Sequence, residues 1–303
     1  MKKLLDIILI CVFLPSCSMS KFAYPPTMPD ARVETYKTVG DVELRLWIFT
    51  PEGHSDKDSR TAVIFFFGGA WRHGSPAQFT KHCEYLAARG MVAMTADYRV
   101  RNRHGVKVNS CVADAKSAIR WIRTHASRLG IDPDRIVASG GSAGGHLAAA
   151  TATLMVHDDE DDNFSISAKP NALVLFNPAV VIAPIPEQKE ARWLKNYRRN
   201  GQLGAEPTTL SPYHHIIQGI CPTIIFHGTN DAAVPYKTVE LFCQKMLEQG
   251  NKCELFGYKG EKHGFFNFGR DGNVMFNDTV NKMDNFLVSL GYLKAVPEIE
   301  HYK

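Results

Sequence analysis

Apolar positions along this chain recur with two different periods, and the two periods take turns. Val42–Phe49 alternates apolar and polar residues and predicts an early strand, followed by a polar turn region over Glu52–Arg60. Ala62–Phe67 is an unbroken run, AVIFFF, of the kind found in strands buried on both faces. Phe79–Arg89 has helical spacing and stops at Gly90, a residue suited to a C-cap. Met91–Ala96 predicts the next strand. Ser110–Leu129 predicts a long amphipathic helix, with Ser110 as N-cap and Gly130 as stop. Ile136–Ser139 predicts a short strand running into a glycine cluster, and Leu147–Val156 a helix of Ala and Thr. Further on, Ala172–Phe176, Thr223–Phe226 and Cys253–Phe256 predict strands, and Thr238–Gln249 and Asp278–Leu290 predict helices.

Strands and helices alternating at this spacing predict an α/β fold, with a mostly parallel central sheet and helices on both faces. Residues 181–220 carry several prolines and no clear period. They read as an excursion over the C-terminal edge of the sheet rather than as a second domain. The expected organisation is one domain over 41–292 with this insertion, an N-terminal extension over 17–40 and a tail over 293–303. No repeat or low-complexity linker interrupts it.

Composition narrows the classes. With 303 residues, 45% hydrophobic and 22% charged, the chain is neither disordered nor fibrous. The formal charge of +4 is spread through the sequence, so no basic stripe points to nucleic acid. The run His157–Asp162 (HDDEDD) lacks the alternating ligands and central Gly of a calcium loop and reads as a solvated acidic loop.

Residues 1–16 (MKKLLDIILICVFLPS) place two lysines before an apolar run of Leu4–Leu14 broken only by Asp6. That run is too short to span a bilayer, which needs roughly 20 residues, and it fits a secretory leader. Leu14-Pro15-Ser16-Cys17 resembles a bacterial lipobox, in which Cys17 is acylated; Pro15 departs from it, and plain cleavage nearby is the other reading. Export to the periplasm or anchoring to the outer membrane is expected, with the lipid as the sole membrane contact. Five further cysteines, Cys83, Cys111, Cys221, Cys243 and Cys253, have neither Cys-x-x-Cys nor metal-ligand spacing and read mostly as buried thiols, with one disulfide open. No metal is expected.

Three places carry chemistry. Gly140-Gly141-Ser142-Ala143-Gly144 is a G-x-S-x-G pattern between a predicted strand and a predicted helix. A serine on such a turn is pushed out at the sheet edge, the strand and helix approach closely there, and the next amide, on Ala143, faces the same side. The alternative is a glycine-rich turn with an idle serine, or a phosphate loop. Phe67-Gly68-Gly69-Ala70-Trp71 follows the buried strand, and its backbone amides, chiefly those of Gly69 and Ala70, are unblocked donors for a developing oxyanion. Asp231 and His263 follow two later strands. A serine needs an imidazole to take its proton, and the imidazole needs a carboxylate to fix its tautomer. The order Ser142, Asp231, His263 suits this sheet architecture. His146, His227 and Glu261 are the nearest alternatives.

On these motifs the chain resembles the α/β-hydrolase superfamily over roughly residues 40–292. Within it, the chain is similar to hormone-sensitive-lipase-like and bacterial feruloyl/acetyl esterase-like carboxylesterases. The resemblance implies the α/β-hydrolase fold, Ser142 as nucleophile, His263 as base, Asp231 as orienting acid, and Gly69, Ala70 and Ala143 as oxyanion donors. It also implies a structural role for Asp97-Tyr98-Arg99 and no cofactor. Trp71 and Phe265 are candidates for the substrate pocket. Two departures stand out: Phe67 replaces the usual His of H-G-G-G, and Ala70 replaces the third Gly, which fits if its φ is negative. The implied activity is hydrolysis of short-chain or aromatic acyl esters through an acyl-enzyme. Export adds acetylated or feruloylated carbohydrate, so the expected partner is a small-molecule or oligosaccharide ester. A serine peptidase or amidase of prolyl-oligopeptidase-like type, and a non-catalytic surface lipoprotein, are the competing classes.

Overall fold

A computed structural model describes residues 24–186 and 192–296. In chain order its elements are β1 (Arg32–Val39), β2 (Val42–Phe49), β3 (Arg60–Phe66), α1 (Thr80–Ala88), β4 (Val92–Ala96), α2 (Arg101–His104), α3 (Val108–Thr124), β5 (Ile131–Gly141), α4 (Ala143–Thr153), β6 (Ala172–Phe176), α5 (Arg192–Arg199), β7 (Thr223–Gly228), α6 (Tyr236–Glu248), β8 (Cys253–Tyr258) and α7 (Val274–Ser289). Eight strands form one sheet in the order β1-β2-β4-β3-β5-β6-β7-β8. β1, β2 and β4 pair antiparallel, and every pairing from β4 through β3 to β8 is parallel. This is the α/β-hydrolase fold.

The unbroken apolar run has a simple cause. In β3, Ala62, Ile64 and Phe66 pack into the core on one face of the sheet, while Val63 and Phe65 pack into the core on the other. Successive side chains point to opposite faces, so a strand covered twice must be apolar at every position. Helices α3, α4, α5 and α6 supply the first core. Helices α1 and α7 supply the second.

Several elements differ from the expectation. β1 falls within the stretch read as an extension, yet it pairs with β2 along its length. Only Tyr36 of its residues is buried, so no apolar stripe announces it. The long helix spans Val108–Thr124, not Ser110–Leu129, and Lys107 rather than Ser110 is its N-cap. Ala126 and Leu129 are buried in the turn beyond it, which extends the apolar period past the helix. α4 begins at Ala143, directly after Ser142, because Gly144 and Gly145 belong to the helix rather than to a loop. The insertion contains α5, whose Leu194 and Tyr197 are buried, and two short 3₁₀ turns. The acidic run is solvated only in part: Glu160 and Asp161 are exposed, whereas Asp158 pairs with Lys116 and Arg120 of α3, Asp162 with Arg120, and Asp159 with Lys37. Cys83, Cys111, Cys243 and Cys253 are buried free thiols, and Cys221 is half-buried. The expected leader, Cys17 and most of the expected C-terminal tail lie outside the described residues. Among the described residues, no helix is long and apolar enough to cross a membrane.

Candidate active site

Parallel strands carry the site, because their C-terminal ends all open on one edge of the sheet. Ser142 follows β5 directly, with φ 56° and ψ −116°, a strained backbone for a residue with a side chain. The glycines around it are explained by contact. A Cβ on Gly144 would lie 1.9 Å from the Phe66 carbonyl oxygen, and one on Gly140 would lie 2.6 Å from the backbone of Gly144. Strand β5, helix α4 and strand β3 touch there through bare backbone, and the tight turn lifts the hydroxyl out of the sheet.

The three side chains from separate loops meet. The Ser142 hydroxyl and His263 Nε2 are 2.9 Å apart, and His263 Nδ1 is 2.6 Å from Asp231 Oδ2. An ionised carboxylate only accepts, so Nδ1 carries the proton and Nε2 is free to accept the serine's. Asp231 is buried, with Oδ1 accepting from the amides of Ala233 and Val234 at 2.8 Å each. His227 Nε2 lies 3.3 Å from its other oxygen. Burial opposes its ionisation, but the bonds from His227, His263 and the backbone outweigh burial and hold the carboxyl well below the usual carboxylate range. Asp231 therefore stays charged below the pH at which an ordinary carboxylate takes up its proton.

Above the serine, the amides of Gly69, Ala70 and Ala143 donate to no protein acceptor among the described residues, whereas the Gly68 amide is taken by Gln78 Oε1 at 2.6 Å. Ala70 departs from the expected negative φ: it sits at 55°, and Trp71 at 56°. Left-handed backbone costs roughly 1–2 kcal/mol for such residues. The surroundings hold it in place. The Tyr197 hydroxyl of α5 donates to the Ala70 carbonyl at 2.7 Å, and the Trp71 indole N–H donates to His146 Nδ1 at 3.2 Å. His146 Nε2 in turn donates to the Leu210 carbonyl at 2.7 Å. Thus His146 is an anchor between the glycine loop, α4 and the insertion. Phe67, in place of the usual His, is buried and stacks on Tyr98 with ring centroids 4.2 Å apart, while the Tyr98 hydroxyl donates to the Phe67 carbonyl. Arg99 forks onto Asp114, so the Asp97-Tyr98-Arg99 segment supports the loop without entering the site.

A cavity of about 990 Å³ opens over Ser142 and His263, lined by Trp71 but not by Phe265. The Phe265 expectation is corrected: its ring is buried against Tyr258, 4.6 Å between centroids, and the neighbouring Phe266 faces the cavity instead. In a turn, adjacent side chains diverge, and composition does not say which of two phenylalanines faces in. Glu261 makes no bond to His263; its carbonyl accepts the Asn230 amide. Two positioning groups have no counterpart in the motifs. Asn177, after β6, accepts the Gly264 amide at 2.8 Å. Gln78 donates to Asn267, which donates to the Gly264 carbonyl, joining the glycine loop to the histidine loop. Asn177, a turn-prone residue straight after the apolar run Ala172–Phe176, is the one of the three with a signal in the sequence; Gln78 and Asn267 are 189 residues apart and have none.

Fold and site together define an α/β-hydrolase with a serine–histidine–aspartate relay. A model of the BD-FAE family matches residues 46–246, and the chain belongs to that family. The dienelactone hydrolase family model also matches, over residues 199–299. In sequence the chain is 28% identical over 232 residues to a probable isoprenylcysteine alpha-carbonyl methylesterase of Arabidopsis thaliana, covering 72% of this chain and 48% of that protein. It is 24% identical to an acetylxylan esterase of Xylanibacter ruminicola, covering 88% and 51%. The chain thus spans about half the length of these curated relatives. Among solved structures, Thermogutta terrifontis esterase 2 phosphonylated by sarin superposes with a TM-score of 0.88 at 50% identity, over 91% of this chain and all of that one. Its propionate-bound form gives 0.86 at 51% identity with the same coverage.

Proposed function

We propose that the protein is an exported serine hydrolase that cleaves short-chain or aromatic carboxylic esters through an acyl-enzyme. The observation that carries this reading is the unbroken relay from the Ser142 hydroxyl through His263 to buried Asp231, beneath three unused amides. In the first step His263 Nε2 takes the serine proton as Oγ attacks the ester carbonyl carbon. The carbonyl oxygen gains the negative charge and is met by the amides of Gly69, Ala70 and Ala143. Collapse breaks the bond to the alcohol, which takes the proton from His263 and leaves Ser142 acylated. Water then repeats the sequence, losing its proton to His263, and the acid departs with Ser142 Oγ reprotonated. The propionate-bound relative supports a short acyl group, and the acetylxylan esterase relative supports acetylated carbohydrate.

The test is a panel of p-nitrophenyl acetate to decanoate, methyl ferulate and acetyl-xylooligosaccharides, run against an aminoacyl p-nitroanilide. Activity peaking on short or aromatic esters is expected, with a fluorophosphonate probe labelling the wild type but not Ser142→Ala. A folded protein that labels nowhere and cleaves only the anilide overturns the reading.

A further inference from the structure

The walls of the cavity over Ser142 include two arginines, Arg103 and Arg270, and no aspartate or glutamate among the described residues. Asp231, the nearest carboxylate in the mechanism, is spent behind His263. The two arginines are not equivalent. Arg103 is occupied: Nη1 donates to the Gly74 carbonyl at 2.7 Å, Nη2 lies 3.5 Å from the Asp97 carboxylate, and the guanidinium lies 3.7 Å above the Tyr24 ring. Arg270 is exposed at the mouth, and Nη1 donates to the His263 carbonyl at 3.2 Å. Among the described residues it forms no ion pair, and Asp271 beside it turns no carboxylate onto it. A carbonyl positions the guanidinium but cancels none of its charge. Its remaining N–H donors form a planar fork that fits a carboxylate, held by a bond to the backbone of the residue that moves the proton.

We infer that Arg270 selects esters bearing a second, ionised carboxylate beyond the scissile bond, so that the preferred substrates are acidic esters rather than neutral ones. A cation with no internal anion, on a wall with no acid among the described residues, favours an anionic ligand over its uncharged isostere. The carboxylate belongs to either the acyl part or the alcohol part, and the two are distinguished by the probes. This inference rests on the ester-hydrolase reading above.

The experiment compares kcat/KM within two matched pairs. Mono-4-nitrophenyl glutarate against 4-nitrophenyl valerate places the charge on the acyl side; 4-acetoxybenzoate against 4-acetoxybenzamide places it on the alcohol side. In wild type one pair should favour the acid. That ratio should fall about tenfold in Arg270→Gln and recover in part in Arg270→Lys. Added salt should erode the ratio in wild type while leaving the neutral member's rate in place, which tests the idea even if the variants do not fold. A ratio that is the same in wild type and Arg270→Gln for both pairs, with no salt dependence, overturns the inference. Failure of wild type on all four esters instead removes the hydrolase reading beneath it.

Discussion

At Asp231 the two carboxylate oxygens face different parts of the protein. Oδ1 is fixed by the Ala233 and Val234 amides, and Oδ2 receives His263, so the backbone aims the acid before the imidazole meets it. Asp231→Asn keeps the shape but offers an N–H where an acceptor is needed, which turns the imidazole to the wrong tautomer. We expect kcat to fall by roughly 10⁴ with the melting temperature little changed; near-normal turnover would mean another acid serves. Two other histidines act on stability instead. His82 is enclosed by Phe65, Phe79, Phe176, Phe266 and Phe276, with no hydrogen bond to either ring nitrogen among the described residues, and burial pushes it down to about 3. Burial also lowers His146, to about 4. Each stays neutral in the folded chain while its unfolded counterpart, near 6.5, takes up a proton. Stability is therefore full above pH 6.5 and declines as pH falls, by about 1.4 kcal/mol per unit for each ring. Melting curves from pH 7 to 5 should show a shallower decline for His82→Leu than for wild type, and identical slopes would place the ring outside the titration. The serine motif, the histidine and the acid were legible in the residues because their chemistry restricts which residue types can serve. Phe266 and Gln78 were not, since facing and bridging depend on how distant turns meet.

Among the elements, the contact between β3, β5 and α4 is the most constrained. It works because Gly140 and Gly144 let three backbones touch, so Gly144→Ala must separate α4 from Phe66. A loss of about 3 kcal/mol is expected, read as a large drop in melting temperature; an unchanged value would show that the helix can shift at little cost. Elements with both faces buried were readable from apolar runs, as in Ala62–Phe66. β1 was not, because an edge strand with one buried side chain, Tyr36, has no stripe to read. The start of α4 was missed for the opposite reason: glycines that usually end helices are required here by close packing.

For the molecule as a whole, the parallel sheet is a single frame that delivers three loops to one edge, and the insertion is laid over that edge. The expected leader over residues 1–16 is a separate matter of address. If Cys17 carries a lipid, Cys17→Ser should move the protein from the membrane fraction to the soluble one in a fractionated cell, and unchanged partition would argue for simple cleavage. The alternation of strands and helices made the frame legible from the sequence. Within the insertion, α5 and the two short turns after it were not, because their order comes from what they lean on. His146 is why this matters beyond the present chain. Its ring joins the glycine turn to the Leu210 carbonyl, and Tyr197 reaches the same turn from α5. The covering segment is thus no interchangeable cassette. A chimera that imports this stretch from a relative would strand a buried imidazole N–H and slacken the loop beneath it, unless the partner of position 146 travels with the graft.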